Sequence, residues 1–368
     1  MRELFVSATA ITEQAVIQIT NEPLQALPSM LNIARAANRY RAKNRPKEPK
    51  AADFILQQEF IPSDFLVKDL ILDGARHVIF ATKQMLELLS KARKWYIDAT
   101  FKVVRRPFHQ LLSIHAFVKK EGILKQVPLC FVLMSRRQKR DYRAVLKCIK
   151  DLLPNPLRVT EVLSDFEAAL WRSCRKILGE SIVHKGCVFH WAQALWRQIQ
   201  EVGLARAYRT DNAVHKYCRK LLALPFLPAE HILSVFEELE AEVNVSAPEI
   251  TRFVSYVRNT WICSTLWPPS SWTCFNESVR TNNDTEGWHG RLNRRAGNGN
   301  LGIYRLADLL FQESKIVTVS IKLLSEGKVQ RMQRKATNTV NKKLFRYWEE
   351  YLTGKRSVQK LLRTCGKL

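Results

Sequence analysis

Between Lys94 and Ser135 the chain reads as three apolar, β-rich runs: KWYIDATFKVV at 94–104, FHQLLSIHAFVKK at 108–120 and ILKQVPLCFVLMS at 123–135. The breaks between them, Arg105-Arg106-Pro107 and Glu121-Gly122, are too short for the crossover that parallel strands need. They predict two hairpin turns and a three-stranded antiparallel meander. A helix follows over about 140–153, stopped by Pro154-Asn155-Pro156. Then come a fourth strand at 158–166, a helix at about 167–178 and a fifth strand near 181–189.

Three strands in a meander, then helix, strand, helix, strand, is the element order of a ribonuclease H-like α/β domain, although composition alone does not select it over other α/β folds. The expected core is a mixed five-stranded sheet flanked by helices. Residues 1–51 read as a basic arm or linker ending in KNRPKEPK, and HVIFATKQMLELLSKAR at 77–93 has helical spacing. The first part of the core spans 52–190, and 191–275 reads as a large helical insertion. Residues 276–330 return to the core with a final helix and its followers, and 331–368 form a basic helical tail.

Lys plus Arg total 59 against 34 Asp plus Glu, a net charge of +25, so the expected partner is a polyanion, with nucleic acid foremost. The basic clusters include SRRQKRDYR, giving Arg136, Arg137, Lys139 and Arg140, and RLNRR, giving Arg291, Arg294 and Arg295. Such side chains suit phosphate contacts, which supply affinity rather than sequence choice. They also fit nuclear import signals. No apolar run nears the roughly 18 residues of a membrane span, and MRELFVSATAITEQ lacks the order of a signal peptide. The reading is intracellular and nuclear, with the eight cysteines reduced. No G-x-x-x-x-G-K-[ST] loop is present, so no nucleotide cofactor is expected.

Asp98 lies in the first strand of the meander among Trp, Tyr, Ile and Phe, and Asp165 closes the fourth strand in VLSDFEAA. In a ribonuclease H-like sheet those strands are neighbours. Glu286, in RTNNDTEGWHGRLN, opens a helix after the insertion. Carboxylates gathered at one sheet edge repel one another unless cations fill the space, and all-oxygen donors suit Mg²⁺ or Mn²⁺. Two such ions serve phosphodiester transfer. Against this, Asp165 could instead cap the helix beginning FEAALWRS, and Asp284 could cap the helix of Glu286.

KWYIDATFKVVRRPFHQLLSIHAF resembles the opening motif of the Mutator-like element (MULE) transposase domain, which runs Asp-Gly-Thr-Phe-Lys, then Pro-Phe, Gln-Leu and Ile-His. VLSDFEAALWRS, GCVFHWAQALWRQIQEVGLARAY and RTNNDTEGWHGRLN resemble its later blocks, in order, over about residues 54–330. The resemblance implies a DDE transposase that cleaves element ends and joins the freed 3′-hydroxyl to target DNA. Asp98, Asp165 and Glu286 are then the catalytic metal ligands, with Asp98 bridging two ions and a homo-oligomer pairing two ends. Ala99 stands where the motif carries Gly. Other readings are a domesticated DNA-binding scaffold that no longer transposes, or a metal-dependent nuclease of the same fold.

The resemblance also carries a Cys-x-x-His element, here Cys187 and His190, which reads as a brace at the strand-to-helix junction beside the active site, with His190 near DNA or the metal site as a further reading. A structural Zn²⁺ would need two more ligands, for which His184, His289 and Cys174 are the candidates. His289 follows Glu286 by three and shares its helix face, where it could orient the acid, touch phosphate or pack. Trp191, Trp196 and Trp288 read chiefly as core, with Trp288 the best candidate for stacking near the site.

Overall fold

The computed structural model describes residues 12–13, 17, 29–120, 123–243, 248–277, 283–297, 299–325 and 335–368. The Glu121-Gly122 turn, residues 1–11, 14–16 and 18–28 of the expected N-terminal arm and the start of the expected tail lie outside them. In chain order the core elements are helix α1 (Met30–Asn44), strands β1 (Leu66–Leu72) and β2 (Ala75–Phe80), α2 (Lys83–Lys91), and the meander β3 (Lys94–Thr100), β4 (Gln110–Lys120) and β5 (Ile123–Met134). Then follow α3 (Lys139–Leu152), β6 (Glu161–Ser164), α4 (Ala168–Leu178) and β7 (Val183–Gly186).

These strands form one seven-stranded mixed sheet in the order β1-β2-β5-β4-β3-β6-β7. The meander pairs antiparallel as expected, and β6 and β7 run parallel to β3. Two strands are additional to the five expected. β1 and β2 make a hairpin through Asp73 and Gly74, both at positive φ (45° and 74°), and β2 extends the sheet beyond β5. The helix expected from residue 77 therefore begins only at Lys83, where the Thr82 hydroxyl accepts from the Met85 N–H. His77 to Phe80 are buried in every position, so the run lacks the alternation that marks a half-exposed strand.

The insertion is helical as read: α5 (Val188–Glu201), α6 (Ala205–Thr210), α7 (Asn212–Leu222), α8 (Ala229–Ala241), α9 (Pro248–Val257) and the short α10 (Pro269–Trp272). After it come α11 (Asn283–Arg295), α12 (Ile303–Ser325), α13 (Lys335–Leu352) and α14 (Val358–Cys365). The insertion has its own core around Trp191, Phe236, Trp261 and Trp272. The C-terminal segment is part of that core rather than a tail: Leu344, Trp348, Leu361 and Leu362 are buried in it, and the Trp348 indole N–H donates to the Phe226 carbonyl at 2.9 Å. Lys342, Lys343, Arg346, Lys360 and Arg363 lie on the outer faces of these amphipathic helices, whereas Arg356 is drawn in against Glu350.

At the other end, part of the expected arm is helix α1, and the chain after it docks. The Glu48 carboxylate accepts from the Ile303 N–H at the start of α12, at 3.0 Å, where a helix leaves N–H groups without partners. No helix of the described residues is long and apolar enough to cross a membrane.

Candidate metal centre

The sheet register puts two carboxylates and a thiol at one edge. Ile97 of β3 pairs with Ser164 of β6, which pairs with Gly186 of β7. Asp98, Asp165 and Cys187 are each the next residue, and so follow the same rung on three adjacent parallel strands. The Cys187 N–H continues the ladder by donating to the Ser164 carbonyl at 2.9 Å. Gly186 is needed at that rung because the Phe166 ring lies over it: an added Cβ would meet the ring at 2.1 Å.

Asp98 is buried, and its Oδ1 accepts from the Ala99 N–H at 2.8 Å. Across the antiparallel rung stands Ser113. The Ser113 hydroxyl donates to the Asp98 carbonyl at 3.3 Å and lies 3.2 Å from His289 Nε2 and 2.9 Å from His115 Nε2. The other ring nitrogen of His289, Nδ1, sits 3.5 Å from Asp98 Oδ2. His289 thus serves the first acid, not the glutamate one helical turn before it. Burial, with His289 and Arg291 adding repulsion, drives His115 well below the ordinary histidine range and keeps it neutral. Ser113 and His115 escaped the sequence reading, although a lone histidine in an apolar strand was the available signal.

Asp165 does not cap α4, because Glu167 stands at that cap. Its carboxyl is pushed up to about 7, first by burial and then by the charges of Asp98 and Glu167, while the Glu167 N–H and Arg137 pull it down. Glu286, in the first turn of α11, is likewise pushed up to about 7 by burial and by Asp98. The three acids are therefore electrostatically coupled through Asp98.

Glu286 has a second neighbourhood. One donor atom from each of Cys187, His190 and Glu286 lies within 4.8 Å of the other two. Cys187 occupies the N-cap of α5, and His190 is one turn further on the same face. The proposed completions of a zinc set do not join them. His184 stacks face to face on Trp171, with centroids 3.8 Å apart, and its Nε2 lies 2.8 Å from the Ser164 hydroxyl. Cys174 is buried in the sheet core, and His289 is engaged with Asp98 and Ser113.

Trp288 is not available for base stacking. It is buried, stacked on Phe131 at 5.5 Å, and its indole N–H donates to Glu313 at 2.8 Å. Its place on α11 turns it toward β5, away from solvent. Trp191 is fully buried in the insertion core, and Trp196 packs on Tyr208.

The seven basic residues divide. Arg136 binds the buried Asp141 carboxylate and the Leu72 and Asp73 carbonyls, and Arg140 pairs with Asp73. Arg291 and Arg295 both pair with the fully buried Glu313. Their charges are thus shared with carboxylates. Arg137, Lys139 and Arg294 are exposed, and Arg137 lies over the exposed Phe101 ring, 5.2 Å from its centroid, with its charge felt at Asp165 and Glu167. Lys50, Arg105 and Arg106 line a further basic cleft with Glu48 and Asn300, which the sequence reading did not assemble because the residues come from three distant segments.

A scan of the sequence against protein-family models finds no match, and neither does a search of curated proteins.

Proposed function

We propose that this chain is the catalytic domain of a DDE-type transposase, cutting DNA at element ends and joining the freed 3′-hydroxyl to target DNA, as its resemblance to MULE transposases implies. One observation carries the reading: Asp98 and Asp165 follow a shared rung of adjacent parallel strands, and Glu286 approaches closely enough for the Asp98 charge to raise it. The order β5-β4-β3-β6-β7 supports a ribonuclease H-like core beneath them.

The donors fit hard divalent cations. They are carboxylate oxygens, and two of the three are pushed up to about 7, first by burial and then by the Asp98 charge, which a shared cation would offset. Asp98, Asp165 and Glu286 would hold Mg²⁺ or Mn²⁺, which when bound activates the attacking hydroxyl and stabilises the leaving oxygen. The chain's own contribution is positioning. The Ala99 N–H and His289 fix the Asp98 carboxylate, and Arg137 at the rim offers a charge to a phosphate. On this reading the protein works in the nucleus, as a homo-oligomer when two ends are paired.

The test is product analysis on a pre-nicked duplex with a supercoiled target and Mn²⁺. Joined strands that disappear in Asp98→Asn and Asp165→Asn support the transferase. Shortened strands alone make the protein a nuclease. DNA binding with neither product, unaffected by both substitutions, makes it a scaffold.

A further inference from the structure

We propose that Cys187, His190 and Glu286 form a Zn²⁺ site, distinct in chemistry from the Asp98 and Asp165 pair and joined to it through Glu286. The three donors come from two elements that the insertion separates in sequence: the β7 to α5 junction supplies sulfur and imidazole, and the first turn of α11 supplies the carboxylate. Their donor atoms lie within 4.8 Å of one another. Tetrahedral zinc, with bonds of about 2.0–2.3 Å, holds its ligands roughly 3.5 Å apart, so side-chain adjustments of about 1 Å close the set.

Two observations point to a ligand there. Glu286 Oε1 and His190 Nδ1 are both shielded from solvent, and neither has a hydrogen-bond partner. Leaving buried polar atoms in that state is costly, and a shared cation relieves both. The third donor, Cys187, is wholly buried at the N-cap of the 14-residue α5, one turn before His190.

Sulfur, nitrogen and oxygen together select zinc over magnesium, which takes oxygen donors. Three protein ligands leave one position open for water. The ion would tie α11 to the sheet edge and fix Glu286 beside Asp98. The site does not depend on the strand-transfer reading: metal binding can be intact in a protein that joins no DNA.

Titration of the chelator-stripped full chain with Co²⁺ tests it. The expected result is a thiolate-to-cobalt charge-transfer band that saturates at one equivalent and is displaced by Zn²⁺. Cys187→Ser abolishes the band, and Cys263→Ser, which removes an exposed thiol, leaves it. His190→Gln and Glu286→Gln weaken Co²⁺ at least tenfold. A missing band, or one that survives Cys187→Ser, overturns the proposal. If circular dichroism shows Cys187→Ser unfolded, Glu286→Gln decides, because unchanged Co²⁺ affinity then overturns the site.

Discussion

Asp165 holds its proton to about 7 because burial and the Asp98 and Glu167 charges oppose its ionisation. An unfolded aspartate ionises near 3.9. The folded value is raised, so the stabilisation it brings is full below about pH 4 and is lost as pH rises to about 7, where native and unfolded states again carry equal protons. Asn resembles the protonated form and escapes the loss. In chelator, Asp165→Asn should therefore melt near the unsubstituted chain at pH 4.5 and above it at pH 8. Mn²⁺, binding only the native site, should narrow or reverse that gap at pH 8. Differential scanning fluorimetry across this range checks it, and a gap of constant size at every pH would show that Asp165 is not coupled to its neighbours.

Helix α11 is where the site is built, since it turns three kinds of residue in three directions. Glu286 meets Cys187 and His190, His289 meets Asp98, and Trp288 stacks on Phe131. Its outer edge is clamped to α12: Glu313 is fully buried, with Arg291 at 2.5 Å, Arg295 also paired, and the Trp288 N–H at 2.8 Å. Glu313→Ala should cost about 3 kcal/mol, the low end for breaking a buried ion pair because both arginines are partly exposed. Urea unfolding measures it, and a loss within ~0.5 kcal/mol would mean that the clamp contributes nothing. The meander was legible because β-rich runs and turn residues are local signals, whereas the β3 to β6 pairing joins distant segments and was read only through the expected ribonuclease H-like strand order. The β1 to β2 hairpin was not, since a run buried on both faces is indistinguishable by period from a buried helix, although Asp73-Gly74 marked its turn. That Asp98 and Asp165 lie side by side followed from the expected strand order, and the weight given to them came from the resemblance. The company Glu286 keeps with Cys187 and His190 was not legible, because it depends on how the insertion returns α11 to the sheet.

At the scale of the molecule, a charge of +25 overstates what can face a polyanion. Arg136, Arg291 and Arg295 hold the fold through buried carboxylates, Arg140 pairs with the exposed Asp73, and Lys342, Lys343, Arg346, Lys360 and Arg363 ride the outer faces of α13 and α14. Arg137 and Arg294 differ: both are exposed, the first within electrostatic reach of Asp165 and the second on the helix that carries Glu286. If DNA lies across the carboxylate edge, each meets a phosphate. Counterion release then makes log K fall with log salt by about 0.9 per contact. The double substitution Arg137→Ala with Arg294→Ala should weaken binding to unrelated duplexes alike and make the slope shallower by about 1.8. Arg136→Ala is the contrast, because it strips the buried Asp141 of its cation; it should lower the melting temperature and leave the slope in place. Fluorescence anisotropy on a labelled duplex from 50 to about 200 mM salt separates the two. An unaltered slope in the double variant would move the DNA path off this edge, toward the cleft lined by Lys50, Arg105 and Arg106.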